Sequence, residues 1–149
     1  MYLGIDIGTS GVKAVIVAVD GAVLAQSAAS LAVSRPHLLW SEQSPDDWWA
    51  ATESADAGVP PDLRGEVQGR GLAARTHGAG VVGADDRPLR PAILWNDGRS
   101  FAECAELEAA EPASRAITGN LAMPGLTAPK LLWVRRNEPQ VFAGLCTVL

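Results

Sequence analysis

Apolar and polar positions fall into short blocks punctuated by glycine and proline, a pattern of short strands and helices rather than of a helical bundle. Residues 2–7 form an apolar run ending in the turn Gly8-Thr9-Ser10-Gly11. Val12–Val19 follows, rich in β-branched residues, and predicts a buried strand. Asp20-Gly21 is a hairpin signal, and Ala22–Ala28 returns as a third strand. Residues 1–31 are therefore expected to form three consecutive antiparallel strands.

Further along, Ser44-Pro45-Asp46-Asp47 predicts a helix start. Ser44 can cap the exposed amides, Pro45 suits the first helical position, and the two acids favour the positive end of the helix dipole. Trp48, Ala51, Thr52 and Ala55 recur on one helical face, and Gly58, Pro60 and Pro61 end the helix. A weak strand over Glu66–Ala74 leads into Arg75-Thr76-His77-Gly78, followed by strands at Val81-Val82 and Ala92–Trp95. Phe101, Cys104 and Leu107 mark a helix that ends before Pro112. Thr127 is expected to cap another, with Leu131, Leu132 and Val134 on its apolar side. Cys146–Leu149 begins an apolar run that nothing closes, so the chain is expected to continue past Leu149.

Composition narrows the classes. At 149 residues the length predicts about one domain, and 48% hydrophobic residues argue against intrinsic disorder. The net charge of −5, with scattered Lys and Arg, argues against a nucleic-acid partner. No apolar run is long enough to predict a membrane span, and the N-terminus lacks the basic flank of a signal peptide. Two cysteines without metal-type spacing fit a reduced, cytoplasmic, soluble domain.

Candidate chemistry concentrates at Asp6, a carboxylate within an apolar strand. Such a strand is expected to bury it, and burying an unpaired carboxylate is costly, so a metal, a bound water or a donor cluster should sit beside it. Gly8, Thr9 and Ser10 supply amides, hydroxyls and a flexible backbone, and Lys13 follows closely. Such a turn can cradle phosphate while Asp6 holds Mg²⁺ through water. A plain hairpin with Asp6 as a turn residue fits the same residues, and both readings stay open. The turn is not a P-loop, because a strand follows it and the Lys-Ser/Thr ending is absent. Gly69-Arg70-Gly71-Leu72-Ala73-Ala74 matches a dinucleotide fingerprint, but no helical periodicity follows, so it is read as coincidence. His77 lacks a local catalytic partner and reads by itself as structural. Trp95-Asn96-Asp97-Gly98-Arg99 fits a strand-to-helix turn, with a ligand role open.

Taken together, these segments resemble the FGGY carbohydrate kinases, and among them the xylulokinases. Gly4–Lys13 resembles the family's first phosphate loop, and Val33–His37 with Leu39–Gln43 resembles the loop after it. Pro91–Arg99, Ile117–Asn120 and Ala128–Val134 complete a resemblance that runs over nearly the whole chain. It implies the first, N-terminal domain of an actin-like, ribonuclease H-like α/β ATPase fold, with the second domain absent. It implies ATP and Mg²⁺ as cofactors and phosphorylation of D-xylulose to D-xylulose 5-phosphate by the full-length protein. Asp6 would then position metal and phosphate, with Gly8, Thr9, Ser10 and Lys13 around the phosphate. Arg75, Thr76, His77 and Asp97 would lie on the sugar side.

Two departures stand out. The family usually reads Gly-Gln-Met-His-Gly where this chain reads Ala74-Arg75-Thr76-His77-Gly78. The family's general base falls in a segment outside residues 1–149, so these residues alone are expected to be inactive. The alternatives are a degenerate or non-catalytic sugar-binding fragment, and a kinase for a related ketose or polyol. A homodimer is a further open expectation.

Overall fold

The structure is a computed structural model describing residues 1–149. In chain order it contains β1 (Tyr2–Ile7), β2 (Gly11–Val17), β3 (Val23–Ser30), β4 (Glu42–Gln43), α1 (Pro45–Ala57), α2 (Pro61–Gly65) and β5 (Gly69–Ala74). There follow β6 (Val81–Val82), β7 (Ala92–Ile93), α3 (Phe101–Ala110), α4 (Ser114–Thr118), α5 (Thr127–Asn137), α6 (Pro139–Ala143) and β8 (Thr147–Val148). Two compact units result. One comprises Met1–Val33 and Pro45–Arg75, the other Ser34–Ser44 and Thr76–Leu149.

The first unit is a four-stranded sheet of order β3-β2-β1-β5, with the first three strands antiparallel and β5 parallel to β1. The expected meander is present. Its first turn is closed by the Gly8 amide donating to the Gly11 carbonyl at 2.9 Å, and the second passes through Gly21 at φ +89. Period-two alternation decides the faces. Leu3, Ile5, Val12, Ala14 and Ile16 point inward and pack with Ala51 and Ala55 of α1 and with Val59. Gly11 must be glycine, since a Cβ there would stand 2.6 Å from the Ala29 carbonyl oxygen.

α1 begins at Pro45 as expected and carries Asp46 and Asp47 in its first turn. Pro61 does more than stop the chain, because it opens the short helix α2. Gly69–Ala74 is strand throughout, so no helix opens at the glycine pattern and the dinucleotide match is coincidental.

In the second unit β4 pairs with β7 and β6 with β8, both antiparallel. Ala79, Ile93 and Val134 form its buried apolar cluster, with Trp133, Val141 and Phe142 packed against it. Two expectations need correction here. The strand expected over Ala92–Trp95 ends at Ile93; Leu94 stays buried but Trp95 turns out to solvent. Thr127 does not cap α5: Leu126 holds the cap position, and the Thr127 hydroxyl donates to the Gly78 carbonyl at 3.0 Å. Pro139 lies beyond the end of α5 and opens α6. No helix is long and apolar enough to cross a membrane.

Candidate functional site

In the first unit, Asp6 lies near the end of β1 and is exposed, not buried. The apolar run 2–7 led to the expectation of a buried carboxylate, but burial alternates along the strand. Gly4 and Asp6 instead share the open face, while Leu3 and Ile5 face the core. Asp6 therefore needs no buried partner. It pairs across the sheet with Lys13 of β2 on one side and Ala73 of β5 on the other. Gly4, Asp6, Lys13, Val15, Gly71 and Ala73 line a trough of about 350 Å³. Gly4, Gly71 and Ala73 leave room for close approach to the backbone beside one carboxylate and one ammonium, with Val15 and Leu72 completing an apolar lining.

The turn Gly8-Thr9-Ser10 continues directly from this strand, with Ser10 exposed and Thr9 half-buried. Its geometry is held from behind. The Arg75 guanidinium donates to the Gly8 carbonyl at 2.7 Å and lies over the Trp48 ring of α1, 4.2 Å from its centroid. Arg75 is half-buried, and burial lowers its pKa from the ordinary arginine value. The residue expected on the sugar side is thus engaged at the phosphate-type turn of its own unit.

Asp6 stands in no cluster of three or more metal-ligating side chains. A single carboxylate is enough for Mg²⁺, which keeps waters and takes phosphate oxygens rather than an all-protein cage. The open carboxylate, the nearby hydroxyls and the small residues of the trough fit such a group.

In the second unit, Thr76 and His77 are exposed, and His77 adopts φ +62, a left-handed conformation that non-glycine residues rarely take. A cavity of about 570 Å³ in the same unit is lined by residues including His37, Trp40, Trp95, Asn96 and Gly125. Asp97 borders it, yet its side chain is 0% exposed and its oxygens are taken by the protein. They accept from the Ser41 amide at 2.6 Å, the Arg99 amide at 2.9 Å, and Arg99 Nε and Nη2 at 3.0 and 2.8 Å. Asp97 therefore orders the loop rather than offering its carboxylate to a sugar.

Sequence reasoning missed what Asp97 holds. Arg99 is buried over Trp40 and Trp133, 3.7 and 4.9 Å from their centroids, and pairs with Glu42 at 2.7 Å. Arg90 joins the same cluster, pairing with Glu42 and, at 3.2 Å, with Glu138. Lys130 was missed as well. It is fully buried in α5 and donates to the carbonyls of His77 at 2.7 Å, of Gly125, and of Leu126 at 3.3 Å. Burial lowers its pKa to about 8, against the opposing influence of Asp97. The signal was its i, i+4 spacing from buried Val134, which places a lysine on the inward stripe of α5.

The N-terminal-domain model of the FGGY family of carbohydrate kinases matches residues 1–149. The chain belongs to that family. Among FGGY relatives, the xylulose kinase of Escherichia coli strain K12 is 54% identical over 151 residues, covering 100% of this chain and 31% of its own length. That of Klebsiella pneumoniae matches at the same identity and coverage. The chain thus spans about a third of the length of these relatives. A crystal structure of a xyloylose kinase from Brucella ovis superposes with a TM-score of 0.94 at 49% identity, covering 99% of this chain and 32% of that one. A xylulose kinase from Rhodospirillum rubrum gives 0.91 at 31% identity, with 99% and 31% covered. The fold is accordingly the actin-like, ribonuclease H-like α/β fold of FGGY sugar kinases.

Proposed function

We propose that residues 1–149 supply the N-terminal part of an ATP-dependent kinase that phosphorylates D-xylulose to D-xylulose 5-phosphate. The observation that carries this reading is the open trough at Asp6, continuous in sequence with the Gly8-Thr9-Ser10 turn. Phosphoryl transfer asks a protein mainly for positioning and charge neutralisation. Asp6 is placed to take Mg²⁺ through water, and that ion would supply the neutralising charge on the nucleotide phosphates. Ser10 and Thr9 offer hydroxyls to phosphate oxygens, and Lys13 offers a cation across the strand pair. His77 and Thr76, with the cavity lined by Trp40, Trp95 and Asn96, are the candidates for the sugar hydroxyls. Arg75 does not argue against a neutral sugar, because Gly8 and Trp48 engage it.

The names of the relatives support xylulose as the acceptor. On this reading the general base and the second domain belong to sequence outside residues 1–149. A coupled ADP-release assay with D-xylulose, ATP and Mg²⁺ tests the proposal. The longer protein carrying this segment is expected to turn over, Asp6→Ala to lose at least 100-fold in kcat with unchanged circular dichroism, and the 149-residue chain to be inactive. Near-normal turnover in folded Asp6→Ala would overturn the role of the trough.

A further inference from the structure

Burying a lysine is costly, and an apolar side chain would fill the same space in α5 at less expense. Val134, one turn along the same face, does so. The reason for a lysine at 130 lies in what it holds. An ammonium carries three donors and no acceptor, and Lys130 Nζ meets three carbonyls, those of His77, Gly125 and Leu126. Gly125 and Leu126 directly precede α5, so those two bonds are local. The His77 carbonyl comes from 53 residues away.

The next carbonyl along, that of Gly78, accepts from the Thr127 hydroxyl at 3.0 Å. The first turn of α5 therefore grips two successive carbonyls of the loop that carries His77. Ala79 then leaves that loop in a bridge to Ile93, its amide donating to the Ile93 carbonyl at 2.8 Å. The grip lies beside a strained residue: left-handed backbone at a non-glycine position persists only where its surroundings over-determine it. The other end of the clamp is equally confined. Gly125 lines the cavity of the second unit, and a Cβ there would stand 2.8 Å from the Trp95 carbonyl oxygen.

We infer that Lys130 is a positioning residue, whose ammonium locks the left-handed His77 backbone to the cavity wall at Gly125, so that the loop carrying His77 is held in one place relative to that wall. This rests on the sugar-kinase reading for the identity of the ligand, a neutral polyhydroxylated molecule. The clamp itself rests on geometry alone. A free amine-like lysine would serve as a base or nucleophile, whereas here three backbone acceptors occupy the head group.

Two experiments decide the matter. In the 149-residue chain, labelled on lysine nitrogen and backbone carbonyl carbon, Lys130 Nζ is expected to show slow proton exchange and through-bond coupling to the His77 carbonyl. Lys130→Met is expected to shift the backbone resonances of His77, Gly78 and Gly125 and to move the His77 Cα shift away from its left-handed value. Absence of the coupling in the wild-type chain overturns the clamp even if the Met variant fails to fold.

In the longer kinase, Lys130→Met and Thr127→Val are expected to raise the KM for sugar at least tenfold and threefold. The KM for ATP should stay within twofold of wild type. A parallel rise in both KM values, or none, would reduce Lys130 to a packing residue. If the wild-type kinase shows no sugar-dependent ADP release, the functional reading fails while the resonance experiment still judges the clamp.

Discussion

Arg75 offers the sharpest quantitative test of the first unit. Its guanidinium donates a charge-assisted bond to the Gly8 carbonyl and lies over the face of Trp48. A hydrogen bond from a charged group contributes about 1.5–3 kcal/mol, and a partly exposed cation–π contact about 0.5–1 kcal/mol. Ordering a long side chain offsets up to ~2 kcal/mol of that gain. Arg75→Ala should therefore destabilise the unit by about 1–2 kcal/mol. Arg75→Gln, which keeps a neutral donor but loses the charge and most of the ring contact, should lose about half as much.

The loss should also be local. Gly8 lies in a turn closed by its own amide on the Gly11 carbonyl, so releasing its carbonyl should speed amide hydrogen exchange from Ile7 to Gly11 before it affects the strand centres. Urea titration followed by tryptophan fluorescence gives the global figure, and native-state exchange gives the local one. Pairing Arg75→Ala with Trp48→Phe in a double-mutant cycle should return a coupling of about 0.5–1 kcal/mol. A loss below ~0.5 kcal/mol in Arg75→Ala together with unchanged exchange at Gly8–Gly11 would refute the strut.

Two further outcomes follow from single positions. Gly11→Ala should cost about 1–3 kcal/mol in chemical denaturation, because a methyl 2.6 Å from the Ala29 carbonyl forces β2 and β3 apart; a cost within ~0.5 kcal/mol would show that the pair relaxes freely. Lys130 predicts a pH dependence of stability. Its folded pKa of about 8 lies below the ordinary 10.5, so between those values the unfolded chain binds the proton that the folded chain has lost. The unfolding free energy should then rise with pH across that window, by up to about 1.4 kcal/mol per pH unit. Lys130→Met should remove this rising contribution, and identical slopes in both proteins would contradict the assignment.

Local pattern made some elements legible. The first three strands follow from alternation, a glycine-containing turn and Asp20-Gly21, and the start of α1 follows from Ser44-Pro45-Asp46-Asp47. The expectation of a buried Asp6 fails, because Leu3–Ile7 looks uniformly apolar until Gly4 is counted with the open face. The partners of Arg75, Asp97 and Lys130 were invisible for a different reason. Their contacts span 67, 56 and 53 residues, and no periodicity reports which distant carbonyl or amide a side chain will meet. The division into two units escaped notice likewise, since the chain enters the second unit at Ser34–Ser44, leaves it for α1, and returns at Thr76.

The charged knot of Glu42, Arg90, Asp97, Arg99 and Glu138 constrains how this sequence can drift. Removing one partner of a buried pair strands the other, at about 3–5 kcal/mol, a large share of the ~5–15 kcal/mol that holds a whole domain. Replacing a complete pair with well-packed apolar side chains can be neutral or better. The intermediate steps are therefore far worse than either end, and Trp40 and Trp133 are tied in through the faces they present to Arg99. Lineages that carry the knot should keep it whole or lose it whole, and a chimera that replaces Ser34–Ser44 with a segment lacking the Glu42 carboxylate, while keeping Arg90 and Arg99, should fold poorly. The five residues behave as one inherited character written in four separate places along the chain.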